Sequence, residues 1–376
     1  MTLSLTSFER IKGYKGKKVL VTGHTGFTGS WLSFWLSLLD AEVIGYAIEA
    51  PSRPNLFNIL TLKERINSLY GNVLDFNKLK KVIDKYEPEI IFHLAGMPIV
   101  RESYKFPRLT YETNVMGTVN LLECVRSNDS IRAVVIVTSE KCYKNTGSCE
   151  AFGEEAPKGG HDPYSSSKAC VEILSESWLC SYFSSNHKRF QRVGLGTVRP
   201  SNIIGGGDWS IDRLIPDCIR GLSSGLSISI RNPTHMRPWQ YVLNPLFGYL
   251  LLGSYLLEDA ATYSGGYNLG ASKNDLWTVE SIVKKIIQIW GNGDYKIDGL
   301  SEKPHEEKSL FMNCEKAESL LDWHPLYDLT QGLSETVSWY RDYYNCNSNE
   351  EVVHYSTSLI QFTMNLIKQS SSKCDQ

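Results

Sequence analysis

The sequence predicts an α/β protein, a doubly wound parallel sheet with a second, smaller lobe, and three observations carry that prediction. Short β-branched runs alternate with helical stretches from Lys17 to Arg199, a glycine-rich turn follows the first run, and the alternation fades after Pro200 into loops such as IIGGGDW and RNPTHMRPW. Strand–helix alternation calls for right-handed crossovers, which cover both faces of a parallel sheet with helices.

The first unit reads KKVLVTG, HTGFTGSWLSFWLSLLD and AEVIGYAIEA, a strand, a helix and a strand. Strand-like runs follow at Glu89–Leu94 (EIIFHL), Arg132–Thr138 (RAVVIVT) and Val193–Arg199 (VGLGTVR). Helical stretches lie between them at Phe76–Tyr86, Leu109–Ser127 and Ser165–Tyr182. The apolar stretch Pro245–Leu257 is shorter than the roughly 20 residues a bilayer requires, so it reads as a buried helix and no membrane partner is expected. The predicted division is a nucleotide-binding sheet domain over 16–199 with a return segment at 239–270, a substrate lobe over 200–238 and 271–345, and a tail over 346–376 that is polar and loose from Ser370.

Composition narrows the function. The chain has 376 residues, 42% of them hydrophobic, enough for one large or two moderate cores. Lys plus Arg number 39 against 41 Asp plus Glu, a net charge of -2, which leaves no basic excess to hold a nucleic acid. Nine scattered cysteines without a CxxC pair argue against a disulfide framework and a Cys-ligated zinc, and for a reducing compartment, the cytoplasm. The opening MTLSLTSFERIKGYKGKK lacks the apolar run of a secretory signal. His93 and His305 form no ligand cluster with the other histidines, so no metal is expected.

Gly23, Gly26 and Gly29 make a G-x-x-G-x-x-G turn between a strand and an apolar helix. Glycines there let the backbone approach a pyrophosphate, whose charge meets the helix N–H groups. His24 in this turn either touches the cofactor or faces solvent. A ribose-binding acid belongs at the end of the second strand; Ala47 holds that place, and Glu49 beyond it is either a ribose ligand or a solvated loop acid. No arginine immediately follows the strand, which favours NAD over NADP, although Arg53 lies a little further on.

Tyr164 and Lys168 lie four apart, sharing a helix face, so the ammonium can favour the phenolate and make Tyr164 a base. The run Thr138, Ser139, Glu140, Lys141 places polar groups at the carboxyl edge of the sheet, where this fold does its chemistry. A turn-capping Ser139 and a surface Glu140–Lys141 pair would be the bland alternative.

Taken together, VTGHTGFTGSWLSFWL, HLAGMPIVRESY, TNVMGT, VTSEKCY, GGHDPYSSSKAC, NIIGGGDW with DRLIPD, IRNPTHMRPWQYV, KPHE and LDWHPLYDL resemble the extended short-chain dehydrogenase/reductase superfamily, and within it the nucleotide-sugar 4,6-dehydratases that act on CDP-glucose. The resemblance runs from Lys17 to Trp339. It implies a Rossmann domain that holds NAD through Gly23, His24, Gly26, Phe27, Gly29, Asn72, Val73, Leu94, Ala95, Tyr164 and Lys168. It implies catalysis by Ser139, Glu140, Lys141, Tyr164 and Lys168, and substrate binding by Asn202, Arg213 and Arg237. The implied reaction is an internal redox cycle. Tyr164 deprotonates the 4-hydroxyl, Lys141 removes the C5 proton, and protonated Glu140 gives its proton to the departing 6-hydroxyl. The product would be a 4-keto-6-deoxy sugar for surface polysaccharides, and the chain would be a homodimer paired through the helices at Leu109–Ser127 and Ser165–Tyr182, with Val119, Leu121, Leu122, Val171, Ile173 and Leu174 covered.

Three positions depart from the family pattern. Glu140 stands for Asp, Asn72 for Asp near the adenine, and Gly96 for Ala. An epimerase or dehydratase for another nucleotide sugar, and a non-catalytic NAD-binding regulator, stay open as alternatives; the Glu140–Lys141 pair weighs against an epimerase, and intact Ser139, Tyr164 and Lys168 against a regulator.

Overall fold

The computed structural model describes residues 5–145, 151–183, 193–271, 275–298, 311–346 and 348–373. Seven parallel strands form the central sheet: β1 (Lys18–Thr22), β2 (Glu42–Ala47), β3 (Asn67–Tyr70), β4 (Ile90–His93), β5 (Ala133–Val137), β6 (Gly194–Pro200) and, after further elements, β10 (Gly265–Leu269). Their order is β10-β6-β5-β4-β1-β2-β3, so the chain winds outward one way through β2 and β3 and then the other way from β4. The crevice between β1 and β4 is the switch point at which such sheets bind ligands.

The inner strands are near-continuous apolar runs because both faces are covered. One face packs on the helices Phe27–Leu38 and Leu243–Glu258, the latter containing the apolar stretch 245–257, with Trp31, Phe34, Trp35, Leu246, Tyr249 and Leu250 in its core. The other face packs on the helices Phe76–Tyr86, Gly117–Arg126 and Pro163–Trp178, burying Leu79, Ile83, Leu121, Leu122 and Val171. Leu121, Leu122 and Val171 therefore belong to the chain's own core and are not available to pair two copies, because their side chains turn toward the sheet. On the outer side of the same helical region Met116 and Ile173 are exposed, Ile173 by 57%.

Strand β3 escaped the sequence reading. It is a four-residue, half-exposed edge strand, too short and too mixed to give a periodic signal. The smaller lobe holds β7 (Asn202–Ile204), β9 (Met236–Tyr241) and β11 (Leu276–Thr278) in a three-stranded sheet, and β8 (Ile228–Ile230) paired with β12 (Tyr295–Ile297).

The expectation of a tail after residue 345 needs correcting. Asn349–Lys373 is a 25-residue helix that buries Val352, Ser356, Leu359, Ile360, Thr363 and Ile367 against the fold. Its inward face mixes hydroxyls with aliphatics, and Ser356 and Thr363 find partners in Trp339 and Tyr327, so the stripe is less apolar than its burial. His305 and the KPHE segment lie outside the described residues.

Candidate active site

One cavity of about 800 Å³ runs along the carboxyl edge of the sheet and into the smaller lobe. Gly23, Gly26, Phe27, Gly29, Asn72, Val73, Leu94 and Ala95 line it toward the first strands, and Ser139, Glu140, Lys141, Tyr164, Lys168, Asn202, Arg213 and Arg237 line the remainder. Of the site residues expected from sequence, His24 alone is missing from this lining.

The turn after β1 is built for close backbone approach. Gly23 takes φ +77°, a left-handed conformation that favours glycine, and a Cβ on Gly29 would sit 2.1 Å from the Gly23 carbonyl oxygen. Gly26 caps the helix Phe27–Leu38 without a side-chain hydrogen bond, leaving the first N–H groups for an anion. The His24 ring turns inward instead, where neither of the two expected roles applies. It lies over Gly45 of β2, whose Cβ would come within 2.4 Å of it, and its Nε2 meets Ser68 Oγ at 2.8 Å. Burial pushes its pKa down to about 4, so it is neutral. Glu49 lines the cavity beyond β2 with its side chain exposed.

Asn72 lines the cavity too, yet its Oδ1 already accepts from the Leu74 N–H at 3.0 Å. Gly96 has a spatial reason: a Cβ there would stand 2.9 Å from Asn114 Oδ1. Asn114 itself was missed by sequence reasoning, although it sits in TNVMGT. It occupies a π-helical turn, Glu112–Met116, accepts from Met97 N–H at 2.7 Å and donates to Ser167 Oγ at 2.8 Å, tying the catalytic helix to the loop after β4.

Asp162 caps the helix Pro163–Trp178 by accepting from Ser165 N–H, and the first turn delivers Tyr164 to the cavity. Burial raises the Tyr164 pKa; a hydrogen bond with Ser139 and the charge of Arg213 oppose that rise. The Lys168 Nζ donates to the Val137 carbonyl at 2.9 Å, and burial brings its pKa down to about 8.

Ser139 ends the β5 edge and caps the short turn Glu140–Cys142 through Lys141 N–H. Glu140 is 4% exposed, and burial raises its pKa to about 8 against the lowering charges of Lys141 and Arg237. The enclosure that a protonated Glu140 requires is therefore present.

Behind this turn lies a buried polar network. Glu172, one turn after Lys168, accepts from Thr138 Oγ1, from Thr197 Oγ1 at 2.8 Å and from Arg199 Nη2 at 2.6 Å. Arg199 also donates to Tyr143 Oη at 2.7 Å, which donates to Asn268 Oδ1 at 2.6 Å. Across the cavity Asp212 bridges Arg101 at 3.1 Å and Arg231 at 3.5 Å, joining the helix Val100–Lys105 to the smaller lobe. The GGGDW loop that carries Asp208 is held by Tyr340, whose hydroxyl accepts from Asp208 N–H at 2.9 Å and donates to its carbonyl. No group of metal ligands occurs among the described residues, and none of their helices is long and apolar enough to cross a membrane.

Comparison with known proteins agrees with this geometry. The model of the family described as GDP-mannose 4,6 dehydratase matches residues 20–336. A CDP-glucose 4,6-dehydratase of Salmonella typhimurium strain LT2 is 46% identical over 329 residues, 87% of this chain and 91% of that protein. The crystal structure of dTDP-glucose 4,6-dehydratase from Bacillus anthracis str. Ames in complex with NAD is 26% identical, with a TM-score of 0.71 over 87% of this chain and 97% of that one. An epimerase from Methanothermobacter thermautotrophicus superposes with a TM-score of 0.76 over 89% of this chain and 95% of its own at 22% identity, a likeness of fold alone.

Proposed function

The chain belongs to the family described as GDP-mannose 4,6 dehydratase, and on that premise we propose that it is an NAD-dependent nucleotide-sugar 4,6-dehydratase, a hydro-lyase converting CDP-glucose to CDP-4-keto-6-deoxyglucose and water. One observation carries the reading: a buried carboxyl with its pKa raised to about 8 and a lysine adjoin at the end of β5, in the same cavity as Tyr164 and a glycine turn.

The residues present fit a dinucleotide. Gly23, Gly26 and Gly29 form a cradle that a Cβ would fill, and Gly26 leaves helix N–H groups for the diphosphate. Phe27, Asn72, Val73, Leu94 and Ala95 would hold the remainder of the cofactor, with Tyr164 and Lys168 at its reactive end. The absence of an arginine directly after β2 favours NAD over NADP. Bound NAD supplies the hydride acceptor for C4 and the hydride source for C6, so the cycle has no net redox change.

The chain does the proton work. Tyr164, beside Ser139, takes the proton of the 4-hydroxyl, and the ketone so formed acidifies C5. Lys141 removes that C5 proton, and Glu140 delivers its own to the leaving 6-hydroxyl. A carboxylic acid still protonated near neutrality is what this step requires. Arg213 and Arg237 offer forked donors to the substrate diphosphate. The exposed Met116 and Ile173 support a homodimer through the helices of that face. All seven described cysteines are free, in keeping with the cytoplasm.

Incubation of the purified protein with CDP-, dTDP-, UDP- and GDP-glucose tests the assignment, with 4-keto product read by its absorbance in alkali. CDP-glucose should be turned over fastest without net reduction of NAD. Reduced nicotinamide building up in step with product would overturn the dehydratase, and sedimentation as a monomer at micromolar concentration would overturn the dimer.

A further inference from the structure

The two oxygens of the Glu140 carboxyl have different surroundings. Oε1 accepts from Asn202 Nδ2 at 3.3 Å, whereas Oε2 has no hydrogen-bond partner among the described residues. Asn202 reaches Glu140 from a different sheet. It opens β7, whose register with β9 sets it opposite Trp239, two residues beyond Arg237. An amide N–H can only donate, and in a carboxylic acid the oxygen that accepts such a bond is the carbonyl oxygen. The acidic proton then belongs to the other one.

Resting on the dehydratase reading, we propose that Asn202 is a positioning residue for the acid: by holding Oε1 as an acceptor it fixes the transferable proton of Glu140 on Oε2, for delivery to the departing 6-hydroxyl. The step balances. The C5–H electron pair, freed as Lys141 takes the proton, becomes the C5–C6 double bond. The C6–O bond breaks with its pair on oxygen, and the Oε2 proton completes a water molecule. Lys141 gains one proton and Glu140 loses one.

The groups that face Glu140 come from three elements: Lys141 from its own turn, Arg237 from β9 and Tyr164 from the helix Pro163–Trp178. The Arg237 guanidinium, and Lys141 whenever it is an ammonium rather than the neutral base, favour the ionised carboxylate, and burial outweighs them. Asn202 adds a neutral donor that orients the acid without contributing a further charge. This role differs from the substrate contact that the family resemblance implies for Asn202, and the two are separable. A residue that grips the substrate acts on KM, whereas one that aims the acid acts on kcat.

Asn202→Ala is the test, and Asn202 is only half-buried, so truncation is compatible with folding. We expect kcat for dehydration to fall about 10- to 100-fold, less than the roughly 10²- to 10⁴-fold that a whole general acid contributes, because the carboxyl itself remains, while KM for CDP-glucose holds. The single-turnover rate of C4 oxidation should be unchanged, so reduced nicotinamide accumulates transiently. In substrate-free protein, the ¹³C signal of the Glu140 carboxyl should titrate at higher pH than in wild type, since a donor that favours the carboxylate has gone. Asn202→Gln, which keeps a donor, should recover part of kcat. A raised KM with wild-type kcat, or a Glu140 titration that does not move, overturns the proposal. If wild-type protein forms no keto sugar, the enzymatic reading fails by itself, and the carboxyl titration still decides whether Asn202 governs the Glu140 proton.

Discussion

Glu140 and Glu172 are equally buried, 4% and 5% exposed, yet they are in opposite protonation states. Around Glu140 Oε2 is unpartnered, and burial outweighs the charges of Lys141 and Arg237 and lifts the carboxyl to about 8. Around Glu172 burial pulls the same way, but the Arg199 charge and the bonds from Arg199, Thr138 and Thr197 overturn it and hold the carboxyl below its ordinary range. Depth alone therefore does not decide ionisation; partners at hydrogen-bond distance do. The pair also divides the labour of the site: Glu172 locks the catalytic helix to β5 and β6, and Glu140 keeps a proton to spend.

The strongest way to break the contrast is to remove the cation. Arg199→Met leaves Glu172 buried without its partner and should cost about 3–5 kcal/mol of stability, the usual range for breaking a buried pair from one side. Urea unfolding measures it. A loss near zero would mean that the pair contributes no more than a surface contact.

Glu140→Gln sharpens the contrast from the other side. Native Glu140 has a pKa raised to about 8 from 4.5, so between those values the folded state keeps a proton that the unfolded chain releases. Stability then falls as pH rises through this window. The variant has no such proton and should gain about 3 kcal/mol on wild type between pH 5 and pH 8, while losing dehydration by at least about 100-fold and retaining C4 oxidation. Parallel stability curves for the two proteins would show that Glu140 is ionised at neutrality.

The sequence made one half of this comparison readable and hid the other. Ser139, Glu140 and Lys141 are contiguous and end an apolar strand, and the Tyr164–Lys168 spacing needs only a helix, so local pattern placed them. Glu172, Arg199, Thr138 and Thr197 meet only when the helix lies across two strands, and nothing in their spacing announces it. His24 failed for a similar reason: the space for its ring is made by Gly45 on the next strand. The helix Asn349–Lys373 passed for a tail because hydroxyls occupy part of its buried face, and β3 was lost because an edge strand buries too little to need apolar residues.

The smallest change moves Glu172 one step toward Glu140. Thr138→Val keeps the shape and removes the hydroxyl that donates to Glu172 Oε1, while Thr197 and Arg199 continue to bind Oε2. One buried oxygen would then lack a partner, as Oε2 of Glu140 does. A hydrogen bond to a charged group is worth about 1.5–3 kcal/mol, and the remaining ion pair should keep the cost at the lower end. The pH dependence gives the sign. A carboxyl with a depressed folded pKa contributes stability above its unfolded pKa and loses it as pH falls through the folded value. Losing the Thr138 donor raises that folded value, so acid unfolding of Thr138→Val should begin at higher pH than in wild type. Because Thr138 immediately precedes Ser139, the same variant should loosen the turn and lower dehydration more than C4 oxidation. An unshifted acid transition would place the control of Glu172 in Arg199 alone.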